Sequence, residues 1–129
     1  MCRVSVFEFF IENVMVEEIK GKRVLEVGSK YVNGSIRPFI ERFLHPGEYT
    51  GVDIEPGRYV DIILPAEKLL EYFGANRFDV VISVDALEHI RNWRVAITNM
   101  KGVLKPEGYI LQLFLRVPWL FPRLLALWC

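Results

Sequence analysis

Apolar residues at the start of the chain recur at helical spacing. Phe7, Phe10, Ile11, Val14, Met15 and Ile19 fall on one face, with Glu8, Glu12, Glu17 and Glu18 between them. One helix over residues 4–19 is predicted, closed by Gly21. The pattern then changes to a short continuous run, Val24 to Val27, as a buried strand requires. Ser35 can cap a second helix bearing Ile36, Phe39, Ile40, Phe43 and Leu44, which His45-Pro46-Gly47 ends. Tyr49 to Ile54 and Val60 to Leu64 read as the next two strands. Pro65 opens a helix carrying Leu69, Leu70 and Phe73. Phe78 to Val84 is almost purely apolar and β-branched, the signature of a central parallel strand buried on both faces. Asn92 can cap a helix with Trp93, Ala96, Ile97, Met100, Val103 and Leu104 on one face. Lys105-Pro106-Glu107-Gly108 reads as a tight turn, and Tyr109 to Leu115 as the fifth strand.

Strands that alternate with helices predict an α/β fold: a Rossmann-like, doubly wound, mostly parallel sheet with helices on both faces and right-handed crossovers. The chain has 129 residues, the size of one ordinary domain, and no linker or repeat divides it. Residues 1–129 are therefore read as a single domain.

Composition narrows the function classes. Sixteen Lys and Arg balance 16 Asp and Glu. No basic block stands out, so nothing points to a nucleic-acid partner. The two cysteines, Cys2 and Cys129, lie at opposite ends and form neither a disulfide framework nor a metal cluster, which makes a reducing cytoplasm the expected location. The glutamates among the first residues break up any signal peptide. From Tyr109 to Cys129 the chain is nearly all apolar. Arg116, Pro118, Pro122 and Arg123 interrupt it, so it fails as a membrane span, which needs roughly 20 consecutive apolar residues.

The candidate chemistry begins at the end of the first strand. Glu26 can accept hydrogen bonds from an ammonium group or from loop amides, and Gly28 lets ligand atoms approach the backbone. An ordinary tight turn is the competing reading. Asp53 ends the second strand, about 25 residues further on, where a carboxylate can take both hydroxyls of a ribose. Together these residues favour a nucleoside-containing ligand. A dinucleotide fingerprint needs glycine at the first, third and sixth positions of the turn, which here hold Gly28, Lys30 and Asn33. That pattern disfavours a nicotinamide-dependent oxidoreductase. His89, beside Glu88, could act as a general base toward an oxygen or nitrogen nucleophile. A polar cap between strand and helix is the simpler reading for it. Glu88 and His89 are too few for a metal site, and none is expected.

At these residues the chain resembles the class I S-adenosylmethionine-dependent methyltransferases, in their broad small-domain group of the type 11 kind. The resemblance covers roughly residues 20–112. It rests on Val24-Leu25-Glu26-Val27-Gly28, Gly51-Val52-Asp53-Ile54, Phe78-Asp79-Val80-Val81-Ile82-Ser83, Leu87-Glu88-His89-Ile90 and Val103-Leu104-Lys105-Pro106-Glu107-Gly108, in family order. It implies S-adenosylmethionine as cofactor and an unidentified methyl acceptor. Glu26 and the loop at Gly28 and Ser29 would hold the methionine end, and Asp53 the ribose. Ile54 would pack on adenine, and Ala66 and Glu67 would approach its amino group. Ser83 to Ala86, including Asp85, would line the methionine moiety. Two positions depart from the family pattern: Ser29-Lys30 replaces the second glycine, and Pro65 stands where an acid is common.

The family's fold normally continues past the fifth strand with a helix and an antiparallel hairpin. This chain lacks those strands, and residues 113–129 form an atypical apolar tail. One reading is a frameshift: permissible codons from Arg116 onward, read one base later, spell an aromatic segment of the kind found on the substrate side in part of the family. The other is a short protein whose tail is buried in a homo-oligomer. Correspondingly, the chain is either a methyltransferase or a truncated, non-catalytic subunit that retains the cofactor crevice.

Overall fold

The computed structural model describes residues 4–113. The helix expected over 4–19 is two, α1 (Val4–Asn13) and α2 (Val16–Ile19), with extended backbone at Met15 between them. Asn13 is the last residue of α1, and its side-chain amide donates to the Phe9 carbonyl at 3.0 Å. The break leaves Val14 and Ile19 both buried.

Gly21, at φ +71°, turns the chain into β1 (Arg23–Val27). The following helix starts with the Ser35 Oγ accepting the Arg37 N–H at 3.1 Å. It is short: α3 (Arg37–Phe39) widens into a π-type turn over Ile40–Leu44 and stops at His45 in left-handed conformation. Then come β2 (Glu48–Asp53) and β3 (Ile62–Ile63), the latter much shorter than its apolar run. Pro65 precedes a 3₁₀ turn, Ala66–Lys68, that leads into α4 (Leu69–Phe73). β4 (Phe78–Val84) matches its sequence pattern residue for residue. A 3₁₀ turn, Leu87–His89, precedes α5 (Trp93–Val103). Asn92 occupies the cap position of α5 but makes no side-chain capping bond.

The tight turn expected at Lys105–Gly108 lies inside β5 (Leu104–Leu113). There the pairing jumps from Phe78↔Leu104 to Val80↔Tyr109, so the extra residues form a bulge. Gly108 makes this possible, because a Cβ would sit 2.8 Å from the Asp79 carbonyl oxygen.

The five strands pair in the order β3-β2-β1-β4-β5, every pair parallel. One face of the sheet buries Val24, Val80 and Ile82 against α1, α2 and α3. The other buries Leu25, Val52 and Val81 against α4 and α5. Helices thus cover both faces, as a doubly wound sheet demands. Away from the crevice end, the Arg23 N–H donates to Asp79 Oδ2 at 2.9 Å, and Lys105 pairs with Asp79 at 3.3 Å. These bonds join β1, β4 and β5 at one end. The apolar tail from 114 onward, with Arg116, Trp119 and Cys129, lies outside the described residues, as does Cys2.

Candidate functional site

The sheet reverses direction of winding between β1 and β4, where the connections leave toward opposite faces. Such a switch point opens a crevice at the carboxyl ends of the strands. Here it holds a cleft of about 490 Å³, of the size that takes a small-molecule cofactor. Gly28, Asp53, Ile54, Ala66, Glu67, Asp85 and His89 all line it, so one cleft gathers residues from four separate loops.

The floor is the turn after β1. The N–H groups of Gly28 and Ser29 both donate to the Val52 carbonyl, at 2.9 and 3.0 Å, which pins this turn to the end of β2. Gly28 has φ +78°, and a Cβ there would lie 2.5 Å from Ala86 Cβ. Only glycine lets the β1 and β4 loops close together at this point. Ser29 is buried, and its Oγ donates to the Tyr59 carbonyl at 2.8 Å. Its hydroxyl thereby fastens the loop after β2.

Asp53 stands at the lip. Its Oδ2 accepts the Lys30 N–H at 3.0 Å and its Oδ1 the Glu55 N–H at 3.2 Å. Ile54 beside it is 68% exposed, an apolar side chain offered to the cleft. Ala66 is buried at the far wall and Glu67 is half-buried there. Asp85 adopts a left-handed backbone, φ +53°, and its N–H donates to the Leu113 carbonyl. His89 is exposed at the end of its 3₁₀ turn, with its backbone N–H on the Ala86 carbonyl at 3.0 Å. Glu88 Oε2 is buried with no hydrogen-bond partner among the described residues.

Three of the expected residues, Glu26, Ser29 and Ser83, do not line the cleft. Ser83 is fully buried in β4, opposite Val27 and Gln112, and lines neither the cleft nor the crevice beside it. Its Oγ has no hydrogen-bond partner among the described residues. Glu26 faces that adjoining crevice, about 10 Å³, which it lines with Gly28, Ser29, Lys30, Gly34 and Ser35. This is room for about one water-sized group. The crevice and the cleft share Gly28, Lys30 and Val84.

Glu26 also has a partner that the sequence did not reveal. Tyr49 Oη donates to Glu26 Oε1 at 2.5 Å. Burial pushes the Glu26 carboxyl up to about 7, against the Tyr49 hydrogen bond and the Arg37 charge, which pull it down. Arg37 lies 4.9 Å from the Tyr49 ring centroid and pairs with Asp61 at 2.7 Å, and Asp61 in turn accepts the Gly51 N–H at 2.8 Å. The signal was the β-period: Tyr49 and Glu26 share one sheet face, but only the register shows that they meet.

A second cavity, about 610 Å³, sits at the opposite end of the sheet, lined by Glu17, Glu18, Lys22, Asp79 and Lys105 among others. Asp79 there is engaged by Arg23 and Lys105. Ligands of open α/β sheets bind at the carboxyl ends of the strands, which favours the cleft at Gly28. Among the described residues no group of three or more His, Cys, Asp or Glu is placed to hold a metal ion, and no helix is long and apolar enough to cross a membrane.

Residues 25–112 match the family model described as a methyltransferase domain. Among curated proteins, the phthiotriol/phenolphthiotriol dimycocerosates methyltransferase 1 of Mycobacterium ulcerans is 32% identical over 112 residues, covering 77% of this chain and 40% of that protein. The fatty-acid O-methyltransferase of Mycolicibacterium smegmatis is 29% identical over 105 residues, covering 73% of this chain and 37% of that protein. The chain thus spans about two fifths of the length of the curated relatives it matches. Among solved structures, the trans-methyltransferase CalH in complex with SAH superposes with a TM-score of 0.61 at 23% identity, over 78% of this chain and 34% of that one. A SAM-dependent methyltransferase from Archaeoglobus fulgidus gives 0.58 at 19% identity, over 84% of this chain and 57% of that one. Both likenesses concern the fold.

Proposed function

The chain belongs to the S-adenosylmethionine-dependent methyltransferase family, and on that premise we propose that it binds S-adenosylmethionine in the switch-point cleft and directs its methyl group to an acceptor. The observation that carries this reading is the meeting of Asp53 and the Gly28 turn over one cleft of about 490 Å³. The residues present fit the group. Asp53 supplies acceptors for the two ribose hydroxyls, and Ile54 an apolar face for adenine. Ala66 and Glu67 form the wall at the base edge. The Gly28 turn leaves backbone where a side chain would intrude, and Glu26 offers a carboxylate in a crevice sized for an ammonium group. Ser29 fixes the loop, Asp85 lines the methionine side, and Ser83 supports that wall from within β4.

When bound, S-adenosylmethionine supplies a sulfonium methyl with a good leaving group. The protein's work is to align the acceptor and exclude water, which asks little of acid–base chemistry. His89, at the edge of the cleft, is the described residue placed to take a proton from an oxygen or nitrogen nucleophile. The fatty-acid O-methyltransferase relative makes an oxygen nucleophile on an apolar molecule the first acceptor class to assay.

The second reading is a subunit that binds the cofactor without turning it over. Calorimetry with S-adenosylmethionine, S-adenosylhomocysteine and NAD tests the cofactor class: micromolar binding of the first two and none of NAD is expected. Absence of binding to both adenosyl ligands overturns the assignment. Binding without turnover on an acceptor panel selects the subunit reading.

A further inference from the structure

We infer that Tyr49 is a positioning residue for the methyl donor: its hydroxyl holds the Glu26 carboxylate at the small crevice, where the donor's ammonium group would be received. The inference rests on the cofactor reading above and names a residue outside the cleft that governs it.

The geometry follows from strand register. In the β1–β2 pair, Val24 lies opposite Tyr49 and Glu26 opposite Gly51. Tyr49 and Glu26 therefore point to the same face, one step apart on the diagonal. On the β2 side no side chain stands directly opposite Glu26, since Gly51 is there, while Ile82 is opposite it on β4. A Cβ on Gly51 would lie 2.3 Å from the Tyr59 carbonyl oxygen and 2.6 Å from Ser29 Oγ, so this position stays glycine. The tyrosine ring reaches along β2 and places its hydroxyl on Glu26 Oε1.

Tyr49 is itself fixed. The Arg37 guanidinium lies near its ring, and Arg37 Nη2 donates to its carbonyl at 3.4 Å. Glu41 and Asp61 hold Arg37 at 2.6 and 2.7 Å. Among the described residues, the charged and titratable groups around Glu26 are Tyr49 and Asp53 from β2, Arg37 from α3 and Lys30 from the loop after β1. Burial and the Glu26 charge push the Tyr49 phenol well above its ordinary 10, so it stays a donor throughout the working range. A donor bond to the carboxylate favours its charged form, the form that attracts an ammonium.

The test is calorimetry of S-adenosylhomocysteine binding to the full chain between about pH 5.5 and 8.5, for wild type, Tyr49→Phe and Glu26→Gln. The ligand's own amine titrates identically in every arm, so differences in profile report the protein. Wild-type affinity is expected to rise about tenfold through neutrality as Glu26 ionises. Tyr49→Phe should move the midpoint upward by about one pH unit, weakening binding near pH 6.5 and recovering it near 8.5. Glu26→Gln should flatten the profile. A Tyr49→Phe midpoint equal to wild type, or a loss uniform across pH, overturns the role of Tyr49. A Glu26→Gln variant with the wild-type profile overturns it too, even where Tyr49→Phe does not fold. Absence of binding by wild type at every pH instead overturns the cofactor reading.

Discussion

Asp53 accepts the backbone N–H of Lys30 at 3.0 Å, a side-chain bond that joins the Gly28 and Ser29 bonds in tying the loop after β1 to the end of β2. The other oxygen of Asp53 holds the Glu55 N–H at 3.2 Å, so both loops at the lip of the cleft are gathered by one carboxylate. A carboxylate offers about four acceptor sites, which leaves room for two ribose hydroxyls. Asp53→Ala should therefore weaken S-adenosylhomocysteine binding by more than tenfold and speed amide exchange at Lys30 and Glu55. Calorimetry and hydrogen exchange read the two effects separately. Unchanged affinity removes Asp53 from the ribose site.

Gly28→Ala puts a methyl group within 2.5 Å of Ala86 Cβ on a backbone at φ +78°. The variant should lose about 1–3 kcal/mol in urea unfolding and bind the donor more weakly, because the floor must shift. A change below about 0.5 kcal/mol contradicts the close approach of the two loops.

Glu26 gives the protein an unusual dependence on pH. Its carboxyl is raised from 4.5 to about 7 by burial, so the folded state binds that proton more tightly than the unfolded chain. Its contribution to stability is full below about pH 4.5 and is lost as pH rises through about 7, on the order of 3 kcal/mol. Glu26→Gln, which can still accept from Tyr49, should flatten this decline and be the more stable protein at pH 8. Parallel pH profiles for the two proteins count against a protonated, buried Glu26.

Ser83→Ala separates structure from function at the centre of β4. The Ser83 hydroxyl is buried without a hydrogen-bond partner among the described residues, so its removal should leave stability unchanged or raise it by up to about 1 kcal/mol. An accompanying loss of donor affinity places the hydroxyl in contact with the methionine side of the cleft. Retained affinity confines Ser83 to the wall.

His89→Ala should keep donor affinity within about twofold, because the side chain is exposed at the rim, and lower kcat by about a hundredfold or more if it is the base. Turnover at the wild-type rate with a responsive acceptor excludes that role.

The strands were legible in the sequence because their signal is local. The run from Phe78 to Val84 reads as a strand without knowledge of its neighbours, and Asp53 and Gly28 mark strand ends by position alone. What depends on register was not legible. Tyr49 looks like one more aromatic in an apolar stretch until β2 is aligned on β1 and brings it to the face of Glu26. The helix expected over residues 4–19 is interrupted at Met15, and the tight turn expected at Lys105–Gly108 is absorbed into an edge pairing as a bulge. The bulge and the Tyr49–Glu26 contact are both decided by a partner strand distant in sequence.

The order of strands also sets when the crevice can exist. Arg23 and Asp79, bonded at the base of β1 and β4, are 56 positions apart in the chain. A ribosome that has delivered β1, β2 and β3 has supplied Asp53 and Gly28, but not Asp85 and His89, which line the cleft across from them. Until β4 emerges and inserts beside β1, the nascent chain has only half a receptacle, with its apolar seam open. If the cleft takes the methyl donor as proposed, its binding in a refolding experiment would serve as a clock for the joining of β4 to β1 rather than for collapse.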